Sequence, residues 1–102
     1  MAESFKVSLE VNKRSIELNP FVEEFLARIT VGAASSLKGV EKIKNLEVHQ
    51  ERGNVTVKVD GKEVPLAAFP NDIISSTLTG LVTPLKGVDK VESLDIKVEV
   101  EG

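Results

Sequence analysis

Residues 5–11 alternate, with apolar Phe5, Val7, Leu9 and Val11 set against polar Lys6, Ser8 and Glu10. A period of two sends the two sets to opposite faces of a β-strand. The same alternation returns at Val55, Val57 and Val59, at Leu46 and Val48, and at Leu94, Ile96, Val98 and Val100. Between these strands the period changes. Val22, Phe25, Leu26, Ile29, Ala33 and Leu37 form one stripe at helical spacing, and Ile74, Leu78, Leu81, Val82 and Leu85 form a second. The predicted order is strand, helix, strand, strand, helix, strand. The apolar strand residues are expected to be buried, and Lys6, Glu10, Glu47, His49, Lys58, Asp95 and Lys97 to face solvent.

Turn and cap residues bound these elements. Asp60-Gly61 is a strong hairpin signal, because a two-residue turn of this kind needs positive φ. Asn12-Lys13 is its weaker counterpart, and residues 51–54 read as a tight turn around Gly53. Short extended arms follow at residues 15–18 and 63–66, where Pro65 marks an edge. Asn19-Pro20 supplies an N-cap and a first helical residue. Gly39 and Gly87 are expected to close the two helices as left-handed caps. Pro84 should disturb the last turn of the second helix. Pro70 and Asn71 offer that helix a start somewhat later than the first helix would imply.

The chain also repeats. Leu37-Lys38-Gly39-Val40 recurs as Leu85-Lys86-Gly87-Val88, and at this offset of 48 residues Val7 falls on Val55, Phe21 on Phe69, Gly32 on Gly80 and Leu46 on Leu94. The 102 residues therefore read as one domain, 1–102, made of two repeats, about 5–52 and 53–101. A unit this short buries too little surface alone, so the halves should share one core. Right-handed crossovers place four main strands in the order 4-1-3-2, an α+β ferredoxin-like two-layer sandwich (βαββαβ) from an internal duplication, with hairpin arms after strands 1 and 3. In that order the central strands already have two neighbours. Either they run past the sheet and fold back as small hairpins, the favoured reading, or each half is a strand-strand-helix-strand unit joined differently.

Composition narrows function mainly by exclusion. The net charge of −3 comes from interspersed Lys, Arg, Asp and Glu, without the clustered basic face that nucleic acid requires. The absence of Cys removes disulfide and thiolate chemistry. Met1-Ala2-Glu3-Ser4 carries no basic or long apolar segment of a signal peptide, and no apolar run nears the ~18 residues of a membrane span. A cytoplasmic protein is expected, with no membrane or nucleic-acid partner. One Gln, no Cys and abundant Lys, Glu and Val lean toward a heat-adapted source.

Catalytic parts are missing. His49 is the single His; Glu47 and Glu51 share its strand face, but a solvated mixed-charge face outweighs a metal site there. Ser35, Ser36, Ser75 and Ser76 lie in helices without a nucleophile elbow or an adjacent base. Asp95 and Glu99 sit on exposed strand positions. Lys-Gly in the repeated tetrapeptide follows a helix rather than opening one, which is wrong for a phosphate loop. No enzyme, cofactor or metal is expected.

The helices carry the anomaly. Residues 29–37 and 73–85 contain no charge, although surface helices normally do. Ala27, Val31, Gly32, Ser35, Ser76, Thr79, Gly80 and Thr83 form small, uncharged flanks, and charge depletion marks interface cores. The expected function is a non-catalytic interaction or scaffold domain that self-associates through its helical layer as a homodimer. The alternative is a small-molecule-binding regulatory domain with ligand at a subunit interface.

Val11-Asn12, Leu18-Asn19-Pro20-Phe21-Val22 and Leu37-Lys38-Gly39-Val40 resemble the pattern of a group of small prokaryotic proteins of uncharacterised function. The second half keeps Leu66, Phe69 and Leu85-Lys86-Gly87-Val88 but has Ala67 and Ala68 in place of Asn-Pro. The resemblance implies no activity and no functional residues.

Overall fold

A computed structural model describes residues 4–101. Residues 1–3, which open the segment read above for a signal peptide, and residue 102 lie outside the described residues. The elements are β1 (Ser4–Val11), β2 (Arg14–Ser15), α1 (Pro20–Ser35), β3 (Asn45–Glu51), β4 (Asn54–Val59), β5 (Lys62–Val64), α2 (Ala68–Val82) and β6 (Ser93–Glu101). The fold is α+β. One six-stranded antiparallel sheet has the order β2-β1-β6-β3-β4-β5.

This corrects the expected 4-1-3-2 order of a ferredoxin-like sandwich. The four long strands run β1-β6-β3-β4, so the strands that follow the helices are central and those that precede them are outer. In both orders the steps from β1 to β3 and from β4 to β6 each skip one strand, so the crossovers do not choose between them. The arms decide. Residues 12 and 13 have φ of 53° and 65°, residues 60 and 61 have 50° and 85°, and these two-residue hairpins fold β2 onto β1 and β5 onto β4. Only an outer strand has a free side to accept such an arm. Each half is a strand-strand-helix-strand unit, the less favoured of the two sequence readings.

The 48-residue offset relates the registers as well as the residues. Leu9 faces Ile96 while Val57 faces Val48, and Glu10 faces Ser15 while Lys58 faces Glu63. At the sheet centre Val48 faces Ile96, a pair that the offset maps onto itself. Links between the halves repeat too. The Asn12 side-chain oxygen accepts from the Glu92 and Ser93 amides at 2.7 and 3.0 Å, and Asp60 Oδ1 accepts from the Lys44 and Asn45 amides at 3.1 and 2.7 Å. Each hairpin turn thus clamps the start of the central strand beside it.

Both helices cover one sheet face. Leu9, Val11, Leu46, Val48, Val57, Leu94, Ile96 and Val98 are buried there in one cluster with Leu26, Ala27, Ala34, Ile74, Leu78 and Val82. Val7 of β1 and Val55 and Val59 of β4 are half-buried. Lys6, Glu10, Glu47, Lys58 and Lys97 are exposed on the opposite face, where His49 and Asp95 are half-buried against each other.

Helix ends depart from the expectations in two respects. The first helix stops at Ser35 and Gly39 closes a separate turn, in which the Val40 amide donates to Leu37 O; Gly87 and Val88 repeat it. The second helix starts at Ala68, not later, so Pro70 and Asn71 fall in its first turn. Asn71 works sideways instead. Its Oδ1 accepts from the Val55 amide at 2.8 Å and its Nδ2 donates to Gly53 O at 2.8 Å, tying the helix start to the edge of β4.

Candidate functional site

The helical layer holds the least ordinary surface. Helix α1 turns Leu26, Ala27, Thr30 and Ala34 toward the sheet. The stripe read from the sequence is therefore rotated: Phe25 is not part of the core, and Ala27 is. Small residues let the helix lie close to the strands, and the buried Thr30 hydroxyl donates to Leu26 O at 2.6 Å rather than being left unpaired. In α2 the core residues are Ile74, Leu78 and Val82. These are the offset counterparts of 26, 30 and 34, so agreement between the halves was the signal that identifies the buried face of α1.

What the rotation leaves outside is aromatic. Phe21 and Phe69 are each 74% exposed, Phe25 is 45% exposed and Ile73 is 51% exposed. Phe21 and Phe69 occupy one repeat position, Phe25 and Ile73 another. The Phe21 and Phe25 rings stack, with centroids 5.8 Å apart and 14° between planes. Arg28 Nε donates to Glu24 Oε2 at 3.1 Å, and its guanidinium lies 5.4 Å from the Phe5 ring centroid. A groove of about 320 Å³ runs between the helices, lined by Ala33 of α1, by Ser36 and Leu37 just past its end, and by Phe69, Pro70 and Ile73 of α2. The C-terminal half of one helix thus lies beside the N-terminal half of the other.

The eight flank residues separate into two groups. Gly32, Ser35, Ser76, Gly80 and Thr83 are exposed. A Cβ added at Gly32 or Gly80 would meet nothing within 4 Å. No described residue of this chain therefore packs against these glycines. Ala27 is fully buried under the helix, Val31 packs against the core, and Thr79 accepts from Gln50 Nε2 at 2.9 Å. Those three residues point away from the outer surface.

The open sheet face carries the single His and the carboxylates around it. His49 Nδ1 lies 2.5 Å from Asp95 Oδ1, and its Nε2 lies 3.5 Å from Glu51. Glu47, read from the sequence as part of this set, instead stands between Lys58 and Lys97 across the sheet. Among the described residues no group of three or more His, Cys, Asp or Glu is placed to hold a metal ion. The helix serines lie on the far side of the sheet from His49, and Ser36 Oγ donates to Gly32 O at 2.9 Å. Among the described residues no helix is long and apolar enough to cross a membrane. No protein-family model, curated protein or solved structure matches this chain.

Proposed function

We infer that this chain is a non-catalytic interaction or scaffold domain that self-associates through its helical layer as a homodimer. The observation that carries the reading is the set of large apolar side chains left outside, Phe21, Phe25, Phe69 and Ile73, on helices without charge over residues 29–37 and 73–85. Large apolar side chains left exposed in clusters, Phe21 stacked on Phe25 and Phe69 beside Ile73 on the other helix, fit an interaction surface. The flank residues Gly32, Ser35, Ser76, Gly80 and Thr83 border it. The reading as an internal duplication is supported by the shared offset of element bounds, registers and turn clamps. A cytoplasmic setting is part of the same reading.

Light scattering across a concentration series tests it. The expected mass approaches twice the 11.0 kDa of one chain, and the double variant Phe21→Lys, Phe69→Lys should remain folded as a monomer. A wild-type chain that stays monomeric at every concentration would overturn the proposal.

The second reading, a small-molecule-binding regulatory domain, draws on the 320 Å³ groove between the helices. An apolar lining with few polar groups fits an apolar ligand. Thermal shift against a metabolite panel tests it, because a ligand that binds only the folded state raises the melting temperature. Hits abolished by Phe69→Lys would favour this reading over simple self-association.

A further inference from the structure

The outer surface of each helix is bulky at one end and hollow at the other. Helix α1 presents Phe21 and Phe25 in its first half and Gly32 in its second; α2 presents Phe69 and Ile73, then Gly80. A glycine in a helix interior weakens the helix relative to alanine. Among the described residues nothing requires either glycine, since the space beyond each is open. Because the helices lie side by side in opposite directions, the bulky end of one neighbours the hollow end of the other.

Such a surface is complementary to itself. A twofold axis parallel to the helices lays α1 of one copy over α2 of the other without changing ends. Residues 21 and 25 then stand opposite residue 80, and residues 69 and 73 opposite residue 32. A twofold axis across the helices also sets bulk against hollow, but it lays α1 on α1 and brings Arg28, near the middle of that helix, against its own copy. Each Arg28 is paired with Glu24, so that arrangement gathers two ion pairs at the centre of the interface, where charge is normally depleted. Helix α2 has no charge over residues 73–85, so the first arrangement avoids that conflict. The area is adequate as a core: Phe21, Phe25, Phe69 and Ile73 leave roughly 450 Å² uncovered, more than half of the ~800 Å² per partner of a standard interface.

We propose that a second copy of this chain docks face to face on the helical layer, with Phe21 and Phe25 of each copy seated over Gly80 of the other, and Phe69 and Ile73 over Gly32. The arrangement rests on the self-association proposed above. The glycines are docking hollows in it: a large side chain there, set against an intact partner phenylalanine, blocks assembly while leaving the monomer intact, whereas a cysteine fits where the facing phenylalanine is itself shortened to cysteine.

The natural chain has no Cys, so introduced cysteines report only chosen contacts. Copies carrying Phe21→Cys are mixed with copies carrying Gly80→Cys, and Phe69→Cys with Gly32→Cys. After subunit exchange the mixtures are oxidised with copper phenanthroline and run on a non-reducing gel. A disulfide needs Cβ atoms about 4 Å apart, so only facing positions link efficiently. The expected result is a shift to the dimer band in both mixtures, stronger than for any variant alone and stronger than for Phe21→Cys mixed with Gly32→Cys. All four substituted positions are exposed, so folding is preserved; light scattering on each variant checks its assembly. A wild-type dimer whose dominant link joins 21 to 32, or that links in none of the mixtures, overturns this arrangement while self-association stands. A wild-type monomer at every concentration overturns both.

Discussion

Gly80 and Gly87 respond to substitution in opposite ways. Gly80 has open space where a Cβ would stand, so Gly80→Ala should stabilise the isolated monomer by up to about 1 kcal/mol through helix propensity. Gly87 has φ of +89°, where a side chain is strained, so Gly87→Ala should destabilise by about 1 kcal/mol. Urea denaturation at low protein concentration measures both signs. Gln50, buried and bonded to the half-buried Thr79, makes a sharper case. Gln50 Nε2 donates to Thr79 Oγ1, and its Oε1 has no hydrogen-bond partner among the described residues. The offset counterparts of these two residues are Val98 and Val31, so the fold accommodates valine at the equivalent place in the other half. Thr79→Val alone should cost about 1–3 kcal/mol, because it strands a buried amide. Gln50→Val with Thr79→Val should restore or exceed the starting stability. A double variant no better than the single would refute that account. Gln50 was invisible as a buried residue in the sequence: its place on the inward face followed from alternation, but its polarity argued for solvent.

At the scale of elements, the hairpin turns join the two halves. Asn12 adopts φ of 53° and its side chain accepts from two amides at the start of β6. Asn12→Gly keeps the backbone conformation and removes the clamp; Asn12→Asp keeps the acceptor. The glycine variant is expected to lose about 1 kcal/mol and the aspartate variant less, since aspartate keeps the acceptor for both amides and loses only the Nδ2 donation to Lys90 O. Equal losses would show that backbone geometry, not the clamp, matters there. The turn itself was readable from Asn12-Lys13 and Asp60-Gly61. Its second role was not, because residues 12 and 92 meet only when β1 and β6 lie side by side. The rotation of α1 has a similar origin. Val22, Phe25, Leu26 and Ile29 describe an apolar face, but which part of a broad face touches the sheet depends on how closely the helix approaches, and Ala27, Thr30 and Ala34 permit the closer contact.

For the whole molecule, strand order predicts which backbone amides are best protected. In the observed sheet β6 and β3 are flanked on both sides, while β1 and β4 carry only the short arms β2 and β5 beyond them. Hydrogen exchange should be slowest at Leu94, Ile96 and Val98 and at Leu46 and Val48. A ferredoxin-like order would make β1 and β4 central and slowest, so protection greatest there would overturn this topology. The sequence by itself determined the order of strands and helices, the inward and outward faces of the strands, the hairpin turns and the 48-residue correspondence. Those follow from periodicity and from the φ demands of single residues, which are local. Only the tertiary structure decided that the arm-bearing strands lie outermost, that Phe21, Phe25, Phe69 and Ile73 remain uncovered, and that Gly32 and Gly80 open outward. These depend on which strand has a free edge and on how each helix turns against the sheet, and both are settled by packing among residues distant along the chain.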